Sequence, residues 1–244
     1  MAKGTRLDIV LVDRGLAPSR ERARALILAG HVTVDGQGVS KAGASVTPDA
    51  CIELSAPDHP YVGRGGVKLA GALDAFAIDP TGRRALDVGA STGGFTDVLL
   101  QRGASSVVAI DVGRGQLDWR LRTDPRVLVH EGVNARALTP ADVPHAVSLV
   151  TIDVAFISLR HILPALPPFL DPGADIVALV KPQFEAGREE VGKHGIVSDP
   201  AVHVAVIARV TDAAAACGFT RIAMAPSAIT GATGNQEFFL HLRV

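Results

Sequence analysis

Cysteine, aromatic residues and net charge are all scarce in this chain of 244 residues. The two cysteines, Cys51 and Cys217, lie far apart and form neither a metal-type nor a redox-type pair. They read as reduced, small apolar side chains of a cytosolic protein, and no metal-ligand spacing appears elsewhere. Aromatics make up only 4%, which weakens the case for a base-stacking platform. A net charge of −1 gives no sign of a broadly basic nucleic-acid binder. Any grip on a polyanion must come from a local patch, because charge attraction is short-ranged at physiological salt. Long hydrophobic runs are missing too: the most apolar stretch, Ala146 to Leu159, is interrupted by Asp153 and is too short to span a bilayer. The first residues, Met1-Ala2-Lys3-Gly4-Thr5-Arg6, turn amphipathic at once, with no apolar signal core. A cytoplasmic location without membrane contact is therefore expected.

Apolar residues make up 48%, enough for a sizeable core. Leu7, Val10 and Leu11 sit at helical spacing before Gly15, and Pro18-Ser19 opens a second helix whose apolar face is Ala23, Leu26 and Ile27, stopped at Gly30. A strand His31–Val34, an Asp35-Gly36 turn and short extended pieces ending at Leu54 complete a small α+β unit over residues 1–58. Lys3, Arg6, Arg14, Arg20, Arg22 and Arg24 oppose Asp8, Asp13 and Glu21 there, and Arg20 and Arg24 share one helical face. This pattern fits an anion-binding face and a solvated mixed surface equally well. Residues 59–67 belong to a turn-rich connector that begins near Ser55. In 68–244, apolar runs at 84–88, 106–110, 127–129, 147–152 and 175–180 alternate with helical patterns. A helix near 201–216 and strands near 219–225 and 237–243 follow. That rhythm predicts an α/β, doubly wound, mostly parallel sheet.

Leu86-Asp87-Val88-Gly89-Ala90-Ser91-Thr92-Gly93-Gly94-Phe95-Thr96 ends the first strand of this sheet and opens a helix. Its glycines allow a tight turn and close approach of a ligand to free backbone N–H groups. The spacing is not that of a pyrophosphate binder, and the acidic Asp87 suits a cationic or ammonium-bearing ligand. Asp111, 22 residues after Gly89 at the tip of the second strand, is placed to accept hydrogen bonds from a ribose diol. The combination points to a methyltransferase binding S-adenosylmethionine. A nicotinamide enzyme or a glycine turn without ligand remains the alternative. Asp153 and Lys181 end the fourth and fifth strands, whose carboxyl ends meet at the ligand crevice of an open parallel sheet, so the two are expected to be neighbours.

Several stretches resemble the TlyA family of ribosomal RNA 2′-O-methyltransferases. They are Tyr61-Val62-x-Arg64-Gly65-Gly66-x-Lys68-Leu69, the Gly89–Thr96 loop, Asp153-x-x-Phe156-Ile157-Ser158-Leu159, Leu179-Val180-Lys181-Pro182-Gln183-Phe184-Glu185, Gly195-Ile196-Val197-x-Asp199-Pro200 and Gly234-Asn235-x-Glu237-Phe238. The first 54 residues resemble the RNA-binding domain of the fourth protein of the small ribosomal subunit. The resemblance implies a Rossmann-like class I methyltransferase domain, FtsJ-like with seven strands, behind that RNA-binding domain. It implies S-adenosylmethionine as cofactor, a cytidine ribose of ribosomal RNA within ribosomal subunits as substrate, and a catalytic tetrad of Lys68, Asp153, Lys181 and Glu237. The cofactor-contacting set it implies is Asp87, Gly89, Ala90, Ser91, Gly93, Gly94, Phe95, Asp111, Val112, Asn134 and Asp153. The RNA-contacting set is Arg6, Arg14, Ser19, Arg20, Arg24 and Arg64. A monomer is expected. Two departures stand out: Gly63 occupies a position where the family commonly has Ser, and the chain stops at Val244 without the extension of many members. The second bears on substrate breadth more than on chemistry.

Other residues admit plainer readings. Trp119 is expected to pack rather than flank an adenine, and Phe156 and Phe184, which border the proposed catalytic ends, to belong to the core rather than stack a base. Asn134 fits an adenine contact and a turn residue equally. The polar loop from Glu185 to Pro200 fits a lid or RNA clamp and a mobile surface loop equally. Rival functions are a non-catalytic assembly factor, a small-molecule methyltransferase and a membrane-lysing toxin. The intact tetrad argues against the first and the N-terminal domain against the second. The lack of a spanning segment or a long basic amphipathic helix argues against the third.

Overall fold

The computed structural model describes residues 4–28, 30–55 and 59–244. Lys3 of the expected basic set and residues 56–58 of the expected N-terminal unit lie outside them. The chain divides into two compact units, Met1–Pro60 and Tyr61–Val244.

In the first unit, β1 (Thr5–Arg6) leads into α1 (Leu7–Asp13), and α2 (Arg20–Leu28) follows. Leu7, Val10, Leu11, Ala23, Leu26 and Ile27 are buried against one another, with Val32 and Val46 alongside. The helical spacing of these residues thus marks the packed faces. Ser19 caps α2, its Oγ accepting from the Arg22 N–H at 3.2 Å. Strand β2 (Val32–Val34) turns through Asp35 and Gly36, both at positive φ (51° and 77°), into β3 (Gln37–Gly38). Two consecutive positive-φ residues make the tight hairpin turn that Asp-Gly favours. Among the described residues the short extended pieces form two separate sheets. Strand β4 (Ser45–Val46) pairs with β1, and β5 (Ile52–Leu54) joins the β3-β2-β5 sheet.

The second unit opens with α3 (Gly65–Phe76), so the expected connector 59–67 is already helical in its last residues. There follow β6 (Arg84–Val88), α4 (Gly94–Gln101), β7 (Ser106–Asp111), α5 (Trp119–Arg122), β8 (Val127–Glu131), β9 (Val147–Ile152), β10 (Leu170–Val180), α6 (Pro182–Glu185), α7 (Pro200–Ala216), β11 (Thr220–Pro226) and β12 (Phe238–Arg243). The seven strands are ordered β11-β12-β10-β9-β6-β7-β8, and β12 runs antiparallel to both neighbours while the other pairs are parallel. Central strands are apolar on both faces, Leu86 and Val150 packing into one core layer and Ala85 and Leu149 into the other. Strand order reverses at β6, which pairs with both β7 and β9, and ligands bind at the carboxyl ends of such a switch point.

The connections depart from the sequence reading. No regular helix links β9 to β10, only three single 3-10 turns over 159–169. Pro164, Pro167 and Pro168 remove the N–H groups that a helix needs there. Strand β10 starts at Leu170, earlier than the apolar run suggests, and shifts register between Leu170 and Asp175. Among the described residues no helix is long and apolar enough to cross a membrane.

Candidate active site

The glycine loop is built by close approach. Gly89 has φ +86°, and a Cβ there would strike the carbonyl of Asp153. The Gly89 and Ala90 N–H groups both donate to the Ile110 carbonyl (2.8 and 3.1 Å), tying the loop to the tip of β7. A Cβ on Gly94 would press on the backbone of Gly65 and Gly66, so the N-termini of α4 and α3 are in intimate contact. Asp111 fastens the neighbouring strand tip, its carboxylate accepting from the N–H of Ser91 (2.7 Å) and of Gly113 (2.6 Å). Val112 beside it is an exposed apolar side chain. Phe95 is buried under the loop and tilted against Phe239.

Asp87 does not face this crevice. It is fully buried, and the hydroxyls of Thr96 (2.6 Å) and Thr151 (3.0 Å) donate to its carboxylate. Burial raises its pKa to about 6, with the Asp153 charge adding to the rise. The sign is opposite to that of a salt-bridged acid. Between about pH 4 and 6 the folded state holds this proton more tightly than the unfolded chain, so stability falls as pH rises across that window, by about 3 kcal/mol. In urea titrations, Asp87→Asn should therefore lose much of the stability decline that the parent shows between pH 4 and 6.5. An unchanged pH slope would refute the assignment.

Two ion pairs lie at the carboxyl ends of the strands. Lys68 on α3 holds Glu237 (Nζ–Oε2 2.6 Å), and Lys181 at the end of β10 holds Asp153 (Nζ–Oδ1 2.6 Å). Side-chain exposure is 11% and 3% in the first pair, 13% and 21% in the second. Strand register explains the convergence. Val180 is paired with Phe238, so the residues one step beyond, Lys181 and Glu237, leave the sheet at the same end. Ala178 is paired with Ile152, which brings Asp153 alongside. Gly65, one turn before Lys68, is close enough to Asp153 for a Cβ to lie 3.8 Å from its Oδ2. The four expected residues are thus together, and Lys68 is the partner of Glu237.

Beside Lys181 stands an aromatic pair. Phe156 is not a core residue but 90% exposed, held at φ +63°, and its ring lies 5.1 Å from that of Phe184. The Lys181 ammonium is 6.0 Å from the Phe184 ring centre. Trp119 is also exposed rather than packed. Two buried polar residues had no role in the sequence reading. Glu185 accepts from the Ser158 hydroxyl (2.5 Å) and the Leu159 N–H (2.7 Å), and burial pushes its carboxyl above the ordinary range. Asn235 accepts from the Val197 N–H (2.9 Å) and donates to the Gly195 carbonyl (2.8 Å), pinning part of the 185–200 loop two residues before Glu237. Both stand in stretches that carry the family resemblance, which was their only signal.

In the N-terminal unit, the buried Asp8 gathers three arginines: Arg6 through two bonds (2.9 and 3.0 Å), Arg20 at 3.0 Å and Arg24 at 3.4 Å. One carboxylate under three half-exposed guanidinium groups leaves a positive surface patch. Arg14 instead donates to the carbonyls of Pro48 and Ala50, and Ser19 caps a helix, so both have structural work. Arg64 is exposed just before α3, and Asn134 caps the turn Ala135–Ala137 by accepting from the Arg136 N–H at 3.1 Å.

Residues 61–244 match the FtsJ-like methyltransferase model, and residues 5–50 match the S4 domain. The chain is 49% identical over its whole length to the 16S/23S rRNA (cytidine-2′-O)-methyltransferase TlyA of Mycobacterium tuberculosis, covering 91% of that protein. A solved structure from Streptococcus thermophilus, named as a candidate haemolysin, is 43% identical with a TM-score of 0.78, over 100% of this chain and 89% of that one. An S-adenosylmethionine-dependent methyltransferase structure from Mesorhizobium loti, 16% identical, shares the fold at a TM-score of 0.54, over 75% of this chain and 100% of that one.

Proposed function

The chain belongs to the FtsJ-like methyltransferase family, with TlyA enzymes as near-full-length relatives, and from that premise we propose that it transfers a methyl group from S-adenosylmethionine to the 2′-hydroxyl of a cytidine in ribosomal RNA. The observation that carries this reading is the convergence of Lys68–Glu237 and Lys181–Asp153 beside the Gly89 loop. The loop fits the cofactor. Gly89 and Gly93 hold the turn at positive φ, where their missing Cβ atoms let Asp153 and Leu121 pack against it, Asp111 offers carboxylate oxygens at the strand tip, and exposed Val112 offers an apolar face. When bound, S-adenosylmethionine supplies an electrophilic methyl on a cationic sulfur.

Lys181 takes the role nearest the hydroxyl. It either accepts the hydroxyl proton or stabilises negative charge on the attacking oxygen. Asp153 fixes the Lys181 ammonium, and Glu237 does the same for Lys68, so the cluster stays near neutral and rigid. Phe156 serves as the platform on which the target base stacks, with its ribose directed toward Lys181. The Arg6, Arg20 and Arg24 patch grips phosphates, and ribosomal subunits as substrate imply a cytoplasmic enzyme.

Incubation with S-adenosylmethionine and undermethylated ribosomal subunits, followed by nucleoside mass spectrometry, should yield 2′-O-methylcytidine. A base-methylated product would refute the reading. In the same assay Phe156→Ala should lower kcat/KM for RNA roughly 10- to 100-fold, because stacking contributes about 1–3 kcal/mol per base. Phe156→Tyr should stay near parental, and cofactor Kd should not move. Equal activity of Phe156→Ala and parent would remove the platform from the account.

A further inference from the structure

Phe156 combines two unfavourable features: a phenylalanine ring that is 90% exposed and a backbone at φ +63°, where side chains other than glycine are strained. Such a conformation persists only where both ends of its segment are fixed. One end is Asp153, whose N–H donates to the Val88 carbonyl at 2.9 Å. The other end is Ser158-Leu159, and there the anchor is one buried carboxylate. Glu185 is only 5% exposed, with Oε2 at 2.5 Å from the Ser158 hydroxyl and Oε1 at 2.7 Å from the Leu159 nitrogen. Ser158 in turn accepts from the Arg160 N–H at 3.2 Å, capping the turn Leu159–His161. Glu185 also directly follows Phe184, the ring against which Phe156 leans. A single short helix therefore sets the position of both rings.

We infer that Glu185 is a positioning residue for RNA methylation, holding the 153–159 loop so that Phe156 is presented beside Lys181. Being buried, it touches neither base nor ribose. Its charge is balanced locally by Arg160, whose Nε is 3.9 Å away. This inference rests on the platform role proposed for Phe156, and the experiment separates the two.

The test is a double-mutant cycle on the full chain, reading kcat/KM for ribosomal subunits together with cofactor Kd. Glu185→Ala should lower kcat/KM about as far as Phe156→Ala, roughly tenfold or more, with cofactor Kd within about twofold of parental. The double variant should be no worse than Phe156→Ala alone. Glu185→Gln, which keeps an oxygen for the Leu159 N–H, should recover part of the loss. If Glu185→Ala fails to fold, Ser158→Ala replaces it in the cycle, with a smaller loss expected in the parent and none in the Phe156→Ala background. Losses that multiply in the double variant would overturn the inference, as would parental activity of the Glu185 or Ser158 variant while Phe156→Ala is impaired. If Phe156→Ala is itself harmless, the platform fails first and this inference falls with it.

Discussion

Replacing Lys181 by alanine should lower the single-turnover rate of methyl transfer about 10³-fold while leaving cofactor affinity nearly unchanged. Positioned acid–base groups contribute about 10²- to 10⁴-fold, and loss of a group that stabilises a developing oxyanion costs about 10²- to 10³-fold, so either role gives an effect of this size. Lys181 is 13% exposed and held by Asp153 at 2.6 Å, so its amine is delivered to one place with little freedom to lose. Arginine should not rescue it. A guanidinium keeps the positive charge but cannot give up its proton near neutral pH, and its planar fork needs different space. Rapid-quench transfer assays with Lys181→Ala and Lys181→Arg, alongside cofactor titrations, check this. A rate restored by arginine would show that the lysine only supplies charge, and a loss of less than about tenfold with alanine would remove it from the chemistry.

The second large effect is on stability. Glu237→Ala should destabilise the protein by about 3–5 kcal/mol, because it leaves the Lys68 ammonium without its partner in a nearly buried setting. Exposures of 11% and 3% leave little solvent to screen the orphaned charge. Removing both charges, as in Lys68→Met with Glu237→Gln, should recover most of that stability. It should not recover activity, since the proposed rigid, near-neutral cluster needs both groups. Urea unfolding of the two single variants and the double, set beside their transfer rates, separates the roles. Equal destabilisation by the double and the Glu237 variant would contradict the pairing.

Much of the fold is legible because β6, β7, β9 and β10 are covered on both faces and therefore appear as short, mainly apolar runs without polar alternation. The nearness of Lys181 and Asp153 follows from the same reading, since adjacent parallel strands end together. Lys68–Glu237 could not be found that way. One partner lies on a helix and the other precedes an antiparallel strand, so their meeting depends on tertiary placement, and only family resemblance joined them. Asp87 misleads for the opposite reason: it stands near a strand tip, but its side chain points toward Thr96 and Thr151 instead of the crevice. Phe156 runs against burial preferences, and no local pattern announces its exposure or its positive φ. The prolines at 164, 167 and 168 do carry a signal, because their missing N–H groups favour short turns over the expected helix between β9 and β10.

In the proposed reaction the methyl acceptor is a ribose oxygen held where the two ion pairs converge. A structure with a non-reactive S-adenosylmethionine analogue and an RNA fragment bearing the target cytidine tests it most directly. The 2′-oxygen should lie within about 2.6–3.2 Å of the Lys181 nitrogen, with the base against Phe156. A ribose oxygen beyond reach of both Lys181 and Lys68, or a base atom in its place, would contradict it.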